Sequence, residues 1–198
     1  MSKLPISITR TTKETSITLS LNRAIQQPPQ VDIQMDLPFF AHMLHAFAYH
    51  GGFDLTIQGT GDIDVDPHHL VEDVGIVLGQ AVLQLQNSLG PTKRFGHQVI
   101  PMDDALGEAV IDCCNRAYLV YQADFPQSHS GTFDMSLFRE FFTSFVSNSR
   151  INLHLICRYG VNSHHMIEAL FKAMGRALGI ALTPLEGADQ ALSTKGKL

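Results

Sequence analysis

The residues best suited to chemistry in this chain belong to one short motif that occurs twice. Each copy has two adjacent histidines and a glutamate that follows the second histidine by three positions. If the motif is helical, all three side chains lie over one turn of the helix. Imidazole nitrogens and a carboxylate without a thiolate suit a borderline divalent ion such as Mn, Fe, Co or Zn. The two copies are His68-His69-Leu70-Val71-Glu72 and His164-His165-Met166-Ile167-Glu168.

The residues before each copy also correspond, which predicts that the motif opens a helix. Asp66-Pro67 precedes the first copy and Asn162-Ser163 precedes the second, so each motif follows an N-cap residue and a first helical residue. A single His-His pair at a helix start could simply cap the helix. Because the pair is duplicated together with its surroundings, a metal site is the better interpretation.

The segment upstream of each motif supplies one further candidate ligand. Asp36 and Asp134 are each predicted to be the N-cap of an amphipathic helix, and an ungapped alignment of the two segments puts His42 opposite Glu140. His45, one turn after His42, has no such counterpart and is predicted either to be structural or to support a ligand without binding the metal itself. We therefore expect His42 and Glu140 to be equivalent members of two ligand sets.

Composition limits the function classes. The 198 residues are 44% hydrophobic, enough for one unit with a substantial core. The formal net charge of −5 argues against a nucleic-acid surface. No apolar run is long enough to cross a membrane and the polar start is not a signal peptide, so no membrane partner and a cytoplasmic location are expected. The three cysteines form no CxxC spacing, which argues against a thiolate zinc site.

The order of predicted elements repeats, which indicates an α+β fold of two β-α-β modules with helices packed on sheets. We expect the first module to span residues 1–90, the second 91–184, and a C-terminal tail 185–198. The predicted helices cover 37–49, 67–87, 135–147 and 163–182. The predicted strands cover 16–21, 31–35, 54–58, 105–112, 118–125 and 152–157.

Other polar residues are candidates for binding the substrate, and their positions in the predicted elements distinguish them. His50 precedes a Gly-Gly helix stop, so it could project from a loop toward a substrate. Lys172 lies about two turns after His164 on a similar helix face, where its charge could reach an anion beside a metal. His97 and His129 are predicted to lie in loops and His154 in a strand, all three without a functional role. The remaining anion-binding candidates are Arg94, Arg116 and Ser193-Thr194-Lys195.

These residues resemble the imidazoleglycerol-phosphate dehydratase family of histidine biosynthesis. The resemblance covers nearly the whole chain in order. It implies helices sandwiched between two sheets, two Mn ions per active site at subunit interfaces, and trimers that assemble into a 24-subunit shell. The matching stretches are HMLHAFAYHGGFDL, GDIDVDPHHLVEDVGIVLGQA, RFG, PMDDAL, NLHL, HHMIEALFKAMGRAL and STKG.

The resemblance also implies a role for each matching residue. One metal would be bound by His42, His69, Glu72 and His164, and the other by His68, Glu140, His165 and Glu168. Substrate contacts would come from Glu14, His50, Arg94, Arg116, Lys172, Ser193, Thr194 and Lys195.

The chain departs from the family pattern in three places. Plant-type relatives have a histidine where Glu140 stands, which would change the charge of one metal site. The family commonly has an aspartate where Ala41 stands. Gln26-Gln27-Pro28-Pro29 replaces a short glycine-containing turn.

The implied reaction is the loss of water from imidazole glycerol phosphate to give imidazole acetol phosphate. The proton is removed from a carbon that no carbonyl flanks, so the imidazole ring has to accept the electrons. Two metals bound to the ring nitrogens would favour the imidazolate. The candidate proton carriers are Glu168, Glu72 and Glu14, among which the sequence does not choose.

Two other functions are compatible with the motifs. A non-catalytic assembly protein could use the metals only to join subunits, but it would not need the dispersed basic residues. A dinuclear metallohydrolase could use the metals to activate water, but such sites usually rely on aspartate-rich ligand sets. The duplicated, histidine-rich motifs favour the dehydratase over both.

Overall fold

A computed structural model describes residues 4–185 of the chain. The alternation of buried and exposed residues along its strands, for example in β2, is typical of sheets with one face on a core. The first half contains β1 (Ile6–Thr11), β2 (Thr15–Arg23), β3 (Val31–Met35), α1 (Pro38–Gly51), β4 (Phe53–Gly61) and α2 (His68–Leu89).

The second half repeats this order and adds one short hairpin before its first helix. Its elements are β5 (Phe95–Met102), β6 (Ala105–Asp112), β7 (Tyr118–Gln122), β8 (His129–Ser130), β9 (Phe133–Asp134), α3 (Leu137–Ser149), β10 (Asn152–Tyr159) and α4 (Ser163–Ala181).

The two main sheets have the same topology. One has the strand order β1-β2-β4-β3 and the other β5-β6-β10-β7, and in each only the last pair is parallel. The hairpin registers also match, because the Thr11–Ser16 pair corresponds to the Pro101–Leu106 pair. Glu14 in the first hairpin turn is therefore equivalent to Asp104 in the second. The predicted α+β duplication is confirmed.

The four helices of residues 4–185 lie between the two sheets and pack as two equivalent pairs, α2 with α3 and α4 with α1. A glycine at the same motif-relative position lets each pair approach closely. A Cβ on Gly79 would overlap the carbonyl oxygen of Phe145, and a Cβ on Gly175 would overlap that of Phe47. The core between the sheets is mostly aliphatic and contains a cluster of phenylalanines, of which Phe138, Phe141 and several others are fully buried.

Several local predictions differ from the structure. His97 lies in β5 rather than in a loop, and its Nε2 is 2.8 Å from Glu108 Oε1. His129 lies in the short strand β8. Helices α1, α2 and α3 begin behind Leu37, Pro67 and Ser136, none of which makes a side-chain cap hydrogen bond. The predicted N-caps Asp36, Asp66 and Asp134 are therefore wrong by one or two residues. Among the helices of the described chain, none combines the length and apolar character needed to cross a membrane.

Candidate active site

Three candidate ligands converge between α1 and α4. The ligand atoms of His42, His164 and Glu168 all lie within 4.8 Å of one another. Glu168 Oε2 is 3.2 Å from His164 Nε2 and 3.8 Å from His42 Nε2. The ring of Phe39 packs edge-on against His164 at a centroid distance of 5.1 Å, which restricts the orientation of that imidazole.

The carboxylate of this cluster is nearly buried and remains ionised. Glu168 is only 7% exposed, and its Oε1 is 2.7 Å from Lys172 Nζ. Burial opposes ionisation, but the hydrogen bond and charge of Lys172 outweigh it, so the pKa of Glu168 is lowered. The helical spacing predicted for Lys172 thus brings it to the ligand cluster. A negatively charged ligand oxygen is available there.

The equivalent residues of the first motif form a looser group between α2 and α3. His68 Nε2 is 3.8 Å from Glu72 Oε2. His68 also lines a cavity of about 270 Å³ together with Glu140, the residue equivalent to His42. The second group therefore occupies the equivalent place in the fold, with Glu140 in place of a histidine, but within residues 4–185 only the His42 group brings three ligand atoms within 4.8 Å of one another.

The second histidine of each motif faces a different acidic residue. His69 Nδ1 is 3.1 Å from Asp62 Oδ1, and His165 Nδ1 is 2.6 Å from Asp104 Oδ1. The hydrogen bond to Asp62 raises the pKa of His69. The hydrogen bond from His165, together with the backbone N–H groups after β10, holds the pKa of Asp104 well below its usual range. When Nδ1–H donates to a carboxylate, the opposite ring nitrogen is left to bind a metal.

The grouping within this chain differs from the one implied by the resemblance. Glu168 lies with His42 and His164, not with His68, Glu140 and His165. Helical geometry explains the difference, because the glutamate is four residues after the first histidine of each motif and only three after the second. The first histidine pairs with the glutamate, and the second turns toward the hairpin acids.

Two predicted substrate contacts lie beside these groups. Glu14 Oε2 is 3.9 Å from His69 Nδ1, and more than half of the Glu14 side chain is exposed. His50 lies in the last turn of α1 rather than in a loop, and it lines a cavity of about 410 Å³ with Arg23 and Arg176. Partial burial and then the charges of Lys172 and Arg176 lower the pKa of His50, so its imidazole is biased toward the neutral form.

The predicted basic contacts Arg94 and Arg116 lie far from the ligand clusters of their own chain. Arg94 precedes β5 and donates two hydrogen bonds to Asp112, whereas Asp104 follows the opposite end of β5. The eight residues of β5 at about 3.3 Å each separate these ends by roughly 26 Å. Arg116 lies at the Arg94 end, in the exposed turn before β7. The predicted contacts Ser193, Thr194 and Lys195 lie outside the described residues.

Asp62 and Asp104 are the site residues that sequence reasoning did not identify. Asp104 belongs to the PMDDAL stretch, and its position in a β-hairpin turn was the only available signal. Its partner His165 is 61 residues away in sequence, so no local spacing could reveal the pairing. Asp62 is seven residues before His69, across the loop from β4 to α2.

The donors present suit a divalent metal. The nitrogen and oxygen atoms of His42, His164 and Glu168 are close enough to bind one ion, and nitrogen-rich sets of this kind favour Mn, Fe, Co or Zn. Lys172 already balances part of the charge of Glu168. An anionic group bound by the metal would therefore also meet a fixed cation.

Comparison with known proteins agrees with this geometry. The family model described as imidazoleglycerol-phosphate dehydratase matches residues 35–178. The chain is 48% identical over 189 residues to a protein of that name from Bacillus subtilis, with 96% of each chain covered. It is 47% identical over 192 residues to one from Methanosphaerula palustris, with 96% of this chain and 97% of the relative covered.

Solved structures give the same result. The crystal structure of imidazoleglycerol-phosphate dehydratase from Staphylococcus aureus superposes with a TM-score of 0.83 at 37% identity and covers 92% of this chain and 100% of its own. The enzyme from Pyrococcus furiosus, in complex with (S)-C348, gives 0.82 at 35% identity, covering 96% and 100%. The chain belongs to the imidazoleglycerol-phosphate dehydratase family, the hydro-lyases of histidine biosynthesis.

Proposed function

We propose that this chain dehydrates imidazole glycerol phosphate to imidazole acetol phosphate with two divalent ions, Mn²⁺ being the expected metal. The observation that carries the proposal is the duplicated ligand geometry. His164 and Glu168 meet His42 between α4 and α1. At the equivalent place between α2 and α3, His68 lies 3.8 Å from Glu72 and shares a cavity with Glu140.

We infer that each of these groups contributes to one metal site. The second histidine of each motif does not join the group formed by the first. His69 is oriented by Asp62, and His165 is oriented by Asp104. They would complete sites formed with a neighbouring copy of the chain. A divalent ion in such a site supplies Lewis acidity that stabilises negative charge on the imidazole ring of the substrate.

Side chains of the protein would transfer the proton and bind the phosphate. The reaction removes a proton from one carbon and hydroxide from the adjacent ring-bearing carbon, and the enol so formed becomes the ketone. Among the three candidate bases, Glu168 is engaged by Lys172 and two histidines, and Glu72 lies beside His68. Glu14 is more than half exposed at a hairpin tip, and its ion pair with His69 Nδ1 is long, at 3.9 Å, so we assign it the proton transfer.

The phosphate would be bound by basic groups from more than one chain. Lys172 and neutral His50 lie beside the first ligand group and could contact the hydroxyls or the phosphate. Arg94 and Arg116, at the far end of their own sheet, would serve a neighbouring copy's site. Ser193, Thr194 and Lys195 complete the proposed phosphate contacts, and a trimer-based 24-subunit shell is the assembly that the resemblance implies.

The direct test is turnover by the purified protein after metal removal and reconstitution. Conversion of imidazole glycerol phosphate to imidazole acetol phosphate should disappear on chelation and return with Mn²⁺. The His164→Ala variant should neither bind metal normally nor turn over substrate, whereas His154→Ala, a histidine on β10 outside the site, should behave like the parent. Metal binding without turnover in the intact assembly would leave the ions a purely structural role and contradict the proposal.

A further inference from the structure

We propose that Asp73 is a positioning residue that fixes the hairpin turn carrying Glu14 against α2, the helix that carries His69 and Glu72. This inference rests on the proposed role of Glu14. Asp73 directly follows Glu72 in sequence but points away from the ligand group, into the space between α2 and the first hairpin. It is 6% exposed.

The Asp73 carboxylate joins three segments of the fold. Thr15 Oγ1 donates a hydrogen bond of 2.5 Å to Asp73 Oδ2, and Thr15 is itself only 5% exposed. On the other side, Arg10 Nε of β1 is 2.9 Å from Asp73 Oδ1. Both carboxylate oxygens therefore have a partner, one on each strand of the β1–β2 hairpin.

From Thr15 the network continues to the backbone of Glu14. The Thr12 hydroxyl lies 3.2 Å from that of Thr15 and accepts hydrogen bonds from the backbone N–H groups of Thr15, at 2.9 Å, and Glu14, at 3.1 Å. The carbonyl oxygen of Glu14 accepts a hydrogen bond of 3.0 Å from the backbone N–H of Asp62, the residue that orients His69. The turn is thus fixed on both sides of Glu14.

The second half of the molecule shows that the fold does not require this network. Burying a carboxylate destabilises the fold unless its partners are well placed. At the positions equivalent to Thr15 and Asp73, the second half has buried alanines and builds the same hairpin on the same helix. The equivalent pairs are Arg10 and Ile100, Thr15 and Ala105, and Asp73 and Ala169.

The two hairpin acids have correspondingly different surroundings. Asp104 is held directly by His165 and by two backbone N–H groups, so it needs no further support. In the first half, Asp62 rather than Glu14 is hydrogen-bonded to His69, and the carboxylate of Glu14 is exposed. A carboxylate that is available for proton transfer has to be positioned through its backbone, and the Asp73 network supplies that constraint.

The test is a double-mutant cycle in the metal-loaded protein. Asp73→Asn should lower kcat by about tenfold to a hundredfold, because a small displacement of a reacting group is costly, while bound metal per chain stays constant. In a Glu14→Gln background the same substitution should change kcat by less than about twofold, since the group it positions is already lost. Thr15→Val should reproduce the loss and Thr15→Ser should largely restore kcat.

Thr18→Val is the matched control, because Thr18 lies on the same strand with its side chain on the exposed face. A readout without substrate accompanies the kinetics: the Glu14 amide should exchange with solvent about tenfold faster in Asp73→Asn but not in Thr18→Val. Equal losses of kcat in both Glu14 backgrounds, or unchanged exchange at Glu14, would overturn the inference. Normal kcat in Glu14→Gln alone would instead refute the proposed role of Glu14, and the exchange result would still decide whether Asp73 fixes the turn.

Discussion

At the residue scale, Glu14 and Glu168 are both acidic groups of the candidate site, but their surroundings differ. This difference leads us to propose a proton-transfer role for Glu14 and a metal-binding role for Glu168. Glu168 is nearly buried among His42, His164 and Lys172, whereas Glu14 is exposed on a turn. We predict that Glu14→Gln lowers kcat by about 10²- to 10⁴-fold with normal metal content, as expected for the loss of a general base.

The contrasting variant is Glu168→Gln, which should lose metal affinity as well as turnover because it removes a charged ligand oxygen. Metal content measured by elemental analysis after dialysis, together with steady-state kinetics, separates the two effects. If Glu14→Gln loses its metal while Glu168→Gln keeps it, the two roles are reversed.

Asp62 supports a second prediction at this scale. Its carboxylate accepts from His69 Nδ1 and so selects the tautomer with a free Nε2. Replacing such a partner of a metal-binding histidine typically weakens metal affinity by about 10- to 100-fold. We expect this loss for Asp62→Asn in a calorimetric titration with Mn²⁺. Asp64→Asn, an exposed neighbour in the same loop, should leave the affinity unchanged. Equal affinities for the two variants would exclude Asp62 from this role.

At the element scale, the motif helices were predictable and their hairpin partners were not. The spacing of the motifs indicated α2 and α4, and α4 indeed begins behind Asn162, whose side chain accepts from the His164 N–H. Strand β5 was not predicted because it contains Gly96 and Pro101, which are unusual in strands. The structure explains both: Gly96 makes room for the carbonyl oxygen of Ala177, and Pro101 is tolerated because β5 is an edge strand.

The helix pairing leads to a prediction about the site. Because a Cβ on Gly175 would overlap the carbonyl oxygen of Phe47, Gly175→Ala has to push α1 away from α4. We expect a loss of about 1–3 kcal/mol in the free energy of unfolding, and weaker metal binding because His42 moves away from Glu168. Denaturant titration and metal titration measure the two effects.

Gly59→Ala is the matched control for that prediction, since its nearest neighbour would be at an ordinary 3.5 Å. It should affect stability less and metal binding not at all. A Gly175→Ala protein with parental metal affinity would show that the spacing of α1 and α4 does not control the ligand cluster.

At the scale of the whole molecule, the metal-ligand clusters lie far from two of the basic residues proposed to bind the phosphate, Arg94 and Arg116. This distance limits how one active site can be assembled. The ligand clusters lie at the start of the motif helices, whereas Arg94 lies beside the last turn of α4, where its N–H donates to Ala181 O. The 19 residues of α4 separate these ends by roughly 28 Å. Imidazole glycerol phosphate is too small to span that gap within one chain. If Arg94 contacts the substrate, as we propose, a neighbouring copy would have to supply it.

This requirement can be tested by mixing two inactive variants. Arg116→Ala should lack a phosphate contact and Glu168→Gln a metal ligand, and each alone should be inactive. If a site takes these residues from different chains, assemblies reconstituted from an equal mixture should recover roughly a quarter of the parental activity, because about one site in four receives both intact residues. If every site takes both residues from the same chain, the mixture should stay inactive, since no chain carries both. Recovery should also require dissociation and reassembly, so mixing the preformed assemblies without that step serves as the control.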